Sequence, residues 1–488
     1  MKKAELVFIP FPGWSHIVMT FEISKFLVKQ DERLSITVVL TKSPFDSKVE
    51  TFIDSLHSSS SKPDGINLIL LPENNILSSE IEPSIIMGKF MEYQKLHVKE
   101  AVTKLMRSNG DSPGRIAGLV IDMLCSQIMD VADELGIPKY SFFPSCAGSL
   151  GVYLHLLTLY HELNVDLTKF KNDRVTELHM PCFTNPIPAG VLPDVVLDKA
   201  GAELILNHAK RIRETKGVIM NTFIELETQT IQTLSSDLPP LYPVGPILNM
   251  ILSGDSLLKS KGAHKNSDII NWLDDQPPLS VVFLCFGSLG EFSKEQLKEI
   301  ADALQNCGFR FIWSLRQAQK DDITGLTEFT YPKEVLPKEF FDRTAGIGKV
   351  IGWAPQLAIL SHPSVGGFVT HCGWNSMLES LSFGVPVAAW PLYADHGPIA
   401  FQMVRELGLG AEIKLDYRLK CDYNIHDEDV IVTAKEIEEA IRKVMEAESE
   451  MRKRVKDMSE KCKKTLLLGG SSYFSIRRLI NDVINNIP

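Results

Sequence analysis

Paired cysteines, long apolar runs and an excess of basic residues are all missing from this 488-residue sequence. The eight cysteines are scattered and none form a C-x-x-C pair, so we expect reduced, buried thiols rather than disulfides or a zinc site. No apolar run reaches the length of about 18 residues that a membrane-spanning helix needs. The formal net charge of −10 lacks the basic footprint that nucleic-acid binding requires.

Several sequence signatures of common protein classes are also absent. The start, MKKAELVFIPFP, lacks the long apolar region and the cleavage site of a signal peptide, and we interpret it as a first buried strand. We therefore expect a cytoplasmic monomer with no stable membrane insertion. The lack of G-x-G-x-x-G and Walker sequences argues against nicotinamide and ATP sites. F-G-S-L-G differs from the G-x-S-x-G elbow of hydrolases.

Short apolar runs alternate with longer amphipathic segments, from ELVFIPF and SITVVLT near the start to VGGFVTH and GVPVAAW near the end. This alternation predicts an α/β fold with parallel sheets covered by helices on both faces. A chain of 488 residues suits two domains. Residues 237–248, DLPPLYPVGPIL, hold four prolines and one glycine, and we predict an irregular domain linker there.

Two segments of the second half have strong helical patterns. SKEQLKEIADALQNCG predicts a helix that begins after Ser293, with a capping box to Gln296, and that ends at Gly308. Residues 433–464 carry mixed charges at helical spacing, which indicates a solvated pair of amphipathic helices.

Unusual residues follow four predicted strands of the second half. In open parallel sheets, ligands bind beyond the carboxyl ends of the strands, and these ends meet at one edge. We therefore predict a pocket at that edge. Its candidate residues follow the four strands in this order: Gly287 and Ser288, then Trp353 to Gln356, then His371 to Ser376, then Asp395 and His396.

The segment HCGWNSMLE allows two interpretations. Gly373 permits a tight turn into a helix whose free N–H groups suit a phosphate, with His371 as a further donor. Alternatively, Ser376 and Glu379 form an S-x-x-E capping box and need no ligand. The Glu379 carboxylate is also placed to accept two ribose hydroxyls. Trp353 is either a core residue or a platform that stacks on a base.

His16 and Asp122 are the candidate pair of the first half. Each follows or ends a predicted strand, so both lie at the carboxyl edge of the sheet. A neutral histidine there can accept a proton from a hydroxyl, and an aspartate can orient its other ring nitrogen. Each residue alone also fits a structural role. Cys372 beside His371 is a poor nucleophile pair because neighbours on a strand point to opposite faces.

A D-x-D sequence, Asp427 to Asp429, invites comparison with metal sites. It lies in a polar loop just before a predicted helix, where acidic residues favour the helix dipole. We therefore expect no metal ion there.

The stretch WAPQLAILSHPSVGGFVTHCGWNSMLESLSFGVPVAAWPLYADH, from Trp353 to His396, resembles the signature box of the plant secondary-product UDP-glycosyltransferases of family one. The similarity is free of gaps. PFPGWSH resembles the P-x-P-G-x-G-H of that family, VIDMLC its aspartate strand and FGSLG its phosphate-facing loop. The resemblance therefore extends across the chain.

This resemblance implies a GT-B fold, in which two Rossmann-like domains face each other across a nucleotide-sugar cleft. Residues 1–247 plus 470–488 would form the N-terminal acceptor-binding domain, with a returning C-terminal helix. Residues 248–469 would form the C-terminal domain that binds the UDP-sugar.

The resemblance also implies roles for the candidate residues. Trp353 would stack on uracil, the Ala354 backbone would recognise its edge, and Gln356 and Glu379 would hold the ribose. Four residues would meet the diphosphate: Ser288, His371, Asn375 and Ser376. Three would face the sugar: Trp374, Asp395 and His396.

The implied reaction is a metal-free, inverting transfer of a hexose from a UDP-sugar to a hydroxyl, with no bound cofactor. His16 would be the general base and Asp122 its partner. The apolar, aromatic stretches of the first half suit a small lipophilic phenolic acceptor such as a flavonoid. A non-catalytic binder of UDP or lipophiles is the alternative, and the presence of both His16 and Asp122 argues against it.

The sequence departs from the family pattern at two places. Trp14 and Ser15 precede the catalytic histidine, where the family usually has x-G, so Trp14 either narrows the acceptor pocket or forms a stacking wall. His396 stands where glucose-using members usually carry Gln, and some galactose-using members carry His. We favour UDP-glucose over UDP-galactose because Trp374 and Asp395 fit glucose.

Overall fold

The computed structural model describes ten stretches of the chain. They are residues 3–42, 47–58, 65–72, 83–107, 116–248, 263–287, 290–318, 326–328, 335–418 and 430–487. Contacts divide the chain into two compact units. Unit 1 comprises Met1–Thr168, Asp198–Asn249 and Lys464–Pro488. Unit 2 comprises Lys169–Leu197 and Met250–Lys463.

The strands are numbered in chain order. They are β1 (Ala4–Ile9), β2 (Leu34–Leu40), β3 (Ile66–Leu70), β4 (Ile116–Asp122), β5 (Lys139–Phe143), β6 (Glu177–Leu178), β7 (Ile187–Pro188), β8 (Val218–Met220), β9 (Leu241–Pro243), β10 (Val281–Cys285), β11 (Arg310–Ser314), β12 (Arg316–Ala318), β13 (Leu326–Glu328), β14 (Gly348–Ile351), β15 (Val365–Thr370), β16 (Val387–Ala389) and β17 (Gly410–Glu412).

The α-helices follow the same convention. They are α1 (Trp14–Gln30), α2 (Ser47–Ser58), α3 (Pro83–Arg107), α4 (Met129–Leu135), α5 (Ala147–Leu157), α6 (Lys199–Arg211), α7 (Ile224–Leu234), α8 (Ala263–Asp274), α9 (Lys294–Cys307), α10 (Lys338–Arg343), α11 (Gln356–Leu360), α12 (Trp374–Ser382), α13 (His396–Phe401), α14 (Ala434–Met445), α15 (Glu450–Thr465) and α16 (Ser471–Asn485).

Unit 1 is built on a seven-stranded sheet in the order β3-β2-β1-β4-β5-β8-β9. Every neighbouring pair is parallel. All residues of β4 and β5 are buried, as expected where helices cover both faces of a parallel sheet. The predicted α/β architecture is confirmed for this unit.

Unit 2 contains a six-stranded sheet in the order β14-β11-β10-β15-β16-β17, again parallel throughout. Its core includes the fully buried indoles of Trp313 and Trp390. The predicted helix α9 is confirmed: the Ser293 side chain accepts a hydrogen bond from the Gln296 backbone, and Gly308 ends the helix at φ 68°. The predicted amphipathic pair is confirmed as α14 and α15.

Residues 237–248 differ from the prediction of irregular structure. Leu241, Tyr242 and Pro243 form β9, which pairs in parallel with β8 at the edge of the unit 1 sheet. An edge strand needs ladder hydrogen bonds on one side only, so it tolerates a proline that a central strand would exclude. That part of the prediction is wrong.

Residues 169–197 group with unit 2, although the predicted domain boundaries assign them to the N-terminal domain. They carry the short antiparallel pair β6–β7. In the described part of the chain, no helix is both long and apolar enough to cross a membrane.

Candidate active site

His16 and Asp122 meet at the carboxyl edge of the unit 1 sheet. Asp122 is the last residue of β4, and His16 lies in the first turn of α1, which follows the neighbouring strand β1. His16 Nδ1 is 2.6 Å from Asp122 Oδ2. The Asp122 side chain is fully buried, and the His16 side chain is 21% exposed. The structure therefore brings the predicted pair together.

The second carboxylate oxygen of Asp122 is held by the backbone. Asp122 Oδ1 accepts a hydrogen bond of 3.0 Å from the Leu124 N–H, at the start of the 3-10 turn Met123–Ile128. This contact fixes the carboxylate that faces His16. When Nδ1 of His16 carries the proton, the lone pair on Nε2 can accept another proton. This is the tautomer that a general base requires.

Aromatic rings surround the turn that carries His16. Phe11 packs edge-to-face on His16, with ring centroids 5.1 Å apart. Trp14 packs in the same way on Phe52 of α2 at 5.3 Å. Phe52 in turn contacts Phe21 of α1. The unusual Trp14 thus belongs to an aromatic cluster that links the first turn of α1 to α2.

The four strand ends singled out in the second half meet at one edge of the unit 2 sheet. They follow β10, β14, β15 and β16, which run parallel in the same sheet. Ser288 and residues 427–429 lie outside the described residues. The remaining candidates occupy three groups, at the starts of α11, α12 and α13.

Gln356, at the start of α11, ties two polar residues of α12 together. Its Nε2 donates to Ser376 Oγ at 3.0 Å and to Glu379 Oε2 at 2.7 Å. Glu379 is 5% exposed, and burial raises the pKa of its carboxyl to about 7, although the Gln356 hydrogen bond opposes this shift. Glu379 is thus a buried acid that titrates near neutral pH, so its charge depends on its surroundings.

Trp353 lies after β14, three residues before Gln356. Its side chain is 40% exposed, so it is not the core residue that one interpretation expected. The Arg316 guanidinium lies over the indole, 5.2 Å from the ring centroid. An exposed indole held in place by a cation is suited to stack on a flat ring. Ala354 follows it, with its backbone at the same strand end.

Arg316 was missed by the sequence analysis. It follows β11, which lies between β10 and β14 in the sheet. The rule that ligands bind beyond the carboxyl ends of parallel strands also selects Arg316, because this residue lies two positions past the end of the buried strand β11.

Helix α12 begins at Trp374, with Gly373 as the preceding cap residue and no side-chain cap. Ser376 therefore lies within the first turn, and the Glu379 carboxylate is engaged by Gln356. The capping-box interpretation is wrong, because the turn at Cys372, with φ 68°, starts the helix earlier than the S-x-x-E pattern implies. The first N–H groups of α12 remain suited to an anion.

Asn375 adds a polar group at the start of α12. Its Oδ1 atom is buried and has no hydrogen-bond partner among the described residues. A buried amide without a partner is costly unless a ligand or water satisfies it.

His371 directly follows β15 and is 7% exposed. Two glycines make room for its ring: a Cβ atom at either Gly287 or Gly373 would lie 2.6 Å from His371 Nε2. Burial, together with the neighbouring His396, holds the pKa of His371 well below its usual value. His371 is therefore a neutral imidazole that donates a single hydrogen bond.

The third group surrounds the start of α13. His396 is buried, and Asp395 is the residue before the helix; Trp374, the first residue of α12, is buried as well. The rings of His371 and His396 pack edge-to-face at 4.8 Å. Burial lowers the pKa of His396 to about 3.

Tyr393 was not predicted, yet it contacts His396 through its ring and its backbone. Their ring centroids lie 4.3 Å apart, and the Tyr393 N–H donates to His396 Nδ1 at 3.4 Å. This bond leaves the proton of the neutral ring on Nε2, so that His396 presents a donor on its far side. Within the described residues, no group of three or more His, Cys, Asp or Glu side chains is placed to hold a metal ion.

Comparison with known proteins identifies the protein family to which a chain with these sites belongs. The model of the family described as UDP-glucoronosyl and UDP-glucosyl transferase matches residues 209–459. A Fragaria ananassa protein named UDP-glucose flavonoid 3-O-glucosyltransferase 6 is 50% identical over 489 residues, which cover 99% of each chain. The chain belongs to this family.

Solved structures agree with the assignment. A UGT transferase from Siraitia grosvenorii in complex with UDP is 42% identical, with a TM-score of 0.83, and the match covers 99% of this chain and 100% of the other. Medicago truncatula UGT71G1 complexed with UDP-glucose is 36% identical, with a TM-score of 0.84 and coverage of 99% and 98%.

The protein is thus a UDP-glycosyltransferase of the plant family-one type with a GT-B fold. Its substrates are a UDP-sugar donor and a small-molecule acceptor, as in the family. This confirms the resemblance, the fold class and the enzyme class predicted from the sequence.

Proposed function

We propose that this UDP-glycosyltransferase transfers glucose from UDP-glucose to a hydroxyl of a small lipophilic phenolic such as a flavonoid. The proposed transfer inverts the anomeric configuration and needs no metal ion. The observation that carries the proposal is the 2.6 Å contact between His16 Nδ1 and Asp122 Oδ2, which orients a histidine as a general base.

The proposed step is an in-line displacement. The acceptor oxygen attacks C1 of an α-linked sugar while its proton passes to His16 Nε2, and Asp122 stabilises the imidazolium. The bond from C1 to the UDP oxygen breaks, so UDP leaves and a β-glycoside forms. The N–H groups at the start of α12 and neutral His371 bind the charge that develops on the diphosphate.

The assignment of the nucleotide rests on the first two groups of unit 2. Trp353 would stack on uracil and the Ala354 backbone would bind its edge, while Gln356 and Glu379 would hold the ribose. The diphosphate would be bound by Ser288, His371, Asn375 and Ser376. The Oδ1 of Asn375 is buried and has no hydrogen-bond partner among the residues that the structure describes, which supports a polar ligand at this position.

Glucose is the sugar that the relatives support. The Fragaria ananassa relative is named for UDP-glucose, and the Medicago truncatula structure holds it. Trp374 and Asp395 would bind the hydroxyls of the sugar. His396 supports a second candidate, UDP-galactose, because a ring replaces the amide that glucose-using members usually carry.

A phenolic acceptor is supported by two observations. The Fragaria ananassa relative is named a flavonoid glucosyltransferase. Phe11 packs on His16 itself, and Trp14 of the same first turn of α1 packs on Phe52 of α2, so apolar rings lie close to the proposed base.

We propose further that unit 1 binds the acceptor and unit 2 the donor, in a monomer that works in the cytoplasm. Support for a reducing compartment comes from the seven cysteines among the described residues, which are all buried thiols. Size-exclusion chromatography with light scattering tests the monomer.

The function is tested with the purified full chain, UDP-glucose or UDP-galactose, and a panel of flavonoids and simple phenols. We expect a mass gain of one hexose, a β-linkage by NMR, and no loss of rate with a chelator. His16→Ala should lower kcat by about 100-fold or more. His97→Ala, on α3 of the same unit, is the matched control and should retain the wild-type rate.

Two results would contradict the proposal. Tight binding of UDP without product from any donor would indicate a non-catalytic binder. Full activity in His16→Ala would remove the base from the mechanism.

A further inference from the structure

A segment from the first half of the sequence packs on the donor unit. We call residues 174–194 the strap. The middle of the strap is held by Glu406, whose carboxylate accepts hydrogen bonds from the Thr184 N–H at 2.9 Å, from the Asn185 N–H at 2.8 Å and from Asn185 Nδ2 at 2.8 Å. Phe183 packs edge-to-face on Phe401 of α13 beside this contact.

The C-terminal part of the strap is held by Arg418. Its Nη2 donates to the Ala189 carbonyl at 2.5 Å, and its Nε lies 3.3 Å from Asp194 Oδ1. The Arg418 side chain is only 10% exposed. A buried guanidinium is costly unless it is paired, so its contacts with the strap bind two segments more than 200 residues apart in sequence.

Arg174, the first residue of the strap, adds contacts beside this part, since its carbonyl accepts a hydrogen bond of 3.0 Å from the Gly190 N–H. Its Nη1 donates to the Asp416 carbonyl at 3.3 Å and lies 3.8 Å from the Asp416 carboxylate. Gly190 fits closely here, since a Cβ atom would lie 2.9 Å from Asp416 Cβ and 3.0 Å from the Arg174 carbonyl oxygen.

The strap touches the segment that carries Asp395 and His396. We call residues 391–397 the sugar loop. A Cβ atom on Gly397 would lie 2.2 Å from the Val191 carbonyl oxygen, so only glycine allows this approach. Strap residues 190–194, loop residues 391–394 and Arg418 line one small depression. Tyr393 of the loop then packs on His396 at 4.3 Å.

We propose that Arg418 is a positioning residue for recognition of the hexose. Through Asp194 and the strap it holds the sugar loop, and thereby Tyr393, Asp395 and His396, in the arrangement that discriminates between sugars. The proposal rests on the proposed function, because it assumes that the sugar loop faces the hexose. The groups that would bind uridine are Trp353 and Ala354, before α11, and Gln356 and Glu379 on α11 and α12, all outside these contacts, so binding of UDP should depend on Arg418 much less than binding of UDP-glucose does.

The test compares two dissociation constants, measured by calorimetry on the full chain: that of UDP and that of UDP-glucose. Arg418→Met removes the charge and keeps the length of the side chain. We expect it to raise the Kd of UDP-glucose about tenfold, since a small misplacement of binding groups has effects of this size or larger. The Kd of UDP should stay within about twofold.

Companion variants keep the test valid if Arg418→Met folds poorly. Asp194→Asn removes the carboxylate partner and should weaken UDP-glucose binding in the same selective way, and Arg418→Lys should recover part of it. Non-additivity of Arg418→Met and Asp194→Asn in the double mutant is expected, because they act through one contact. Arg442→Met, on α14 of the same unit, is the matched control for loss of an arginine and should change neither constant.

Three results would overturn the proposal: equal weakening of UDP binding and UDP-glucose binding, no change in either constant, or a selective effect of Arg442→Met.

In kinetic assays, Arg418→Met should also raise the KM for UDP-glucose more than it lowers kcat, and should reduce the preference between UDP-glucose and UDP-galactose. Failure of the proposed function can be distinguished from failure of the role proposed for Arg418. If the wild type makes no glycoside, the two binding constants of wild type and variants can still be compared.

Discussion

Glu379 is a single residue whose chemistry depends on burial. The carboxyl is 5% exposed and has the Gln356 amide as its hydrogen-bond donor, and its pKa rises to about 7. The ionised carboxylate accepts hydrogen bonds from hydroxyls more strongly than the protonated acid does. A buried acid at this position therefore makes ribose binding sensitive to pH.

We expect the Kd of UDP to rise as the pH falls below about 7, because a proton on Glu379 then competes with the ribose hydroxyls. Calorimetric titration of UDP from about pH 8 to about pH 5.5 measures this change. Glu379→Gln is the control: its affinity at pH 8 should be lower, and the part of the pH dependence that belongs to Glu379 should disappear. An unchanged pH slope in that variant would refute the role of Glu379.

His396 is the residue at which this chain departs from the glucose-using pattern. Its buried ring is neutral, accepts a hydrogen bond from the Tyr393 N–H and presents Nε2–H to its far side. Glutamine also offers a donor, but it adds a flexible acceptor in a different direction.

We expect His396→Gln to raise the ratio of kcat/KM for UDP-glucose over UDP-galactose by about tenfold, because the amide restores the family pattern for glucose. Parallel assays of both donors with one acceptor measure the ratio. Asp395→Asn serves as a comparison, since it should lower kcat/KM for both sugars. A shift of the His396→Gln ratio toward galactose would contradict the assignment.

At the scale of elements, patterns that are local in sequence predict structure well. The cap at Ser293 and the glycine at 308 bound α9 as expected, because a helix end satisfies its own backbone groups with nearby residues. The clustering of strand ends also followed from sequence, since parallel strands bring their carboxyl ends to one edge. The same rule placed His16 and Asp122 together.

Errors arose where a neighbouring element overrides the local pattern. The S-x-x-E of α12 has the spacing of a capping box, but Gln356 of another helix binds both residues. The proline-rich stretch at 237–248 contains a strand because an adjacent strand supplies the pairing. Residues 169–197 group with unit 2, and their contacts with Glu406 and Arg418 join positions more than 200 residues apart, which no local pattern predicts; the domain boundaries stay a prediction.

At the scale of the whole molecule, both units bury histidines that must stay neutral. His208 of unit 1 bonds Ser126 Oγ at 2.7 Å, and burial lowers its pKa to about 4. His371 and His396 of unit 2 have lowered pKa values for the same reason. An unfolded chain protonates histidine near its ordinary pKa of about 6.5, so between these values the unfolded state binds more protons.

The sign of the effect follows from that difference. Stability that depends on neutral His208 is fully present above about pH 6.5 and is lost as the pH falls towards about 4, with a contribution of about 3 kcal/mol at most. Glu379 acts in the opposite direction, because its pKa is raised in the folded state. Three histidines destabilise the folded state as the pH decreases and only Glu379 opposes them, so we expect the melting temperature to fall as the pH decreases over this range.

The contribution of His208 is separated from the rest by substitution. His208→Gln removes the titrating ring and retains a polar side chain for Ser126, so its melting temperature should fall less steeply between about pH 6.5 and about pH 4.5 than that of the wild type. His179→Gln, at an exposed position, is the matched control and should keep the wild-type slope. Differential scanning calorimetry measures both. Equal slopes for wild type and His208→Gln would mean that acid lability originates elsewhere, in the carboxylates rather than in the buried imidazoles.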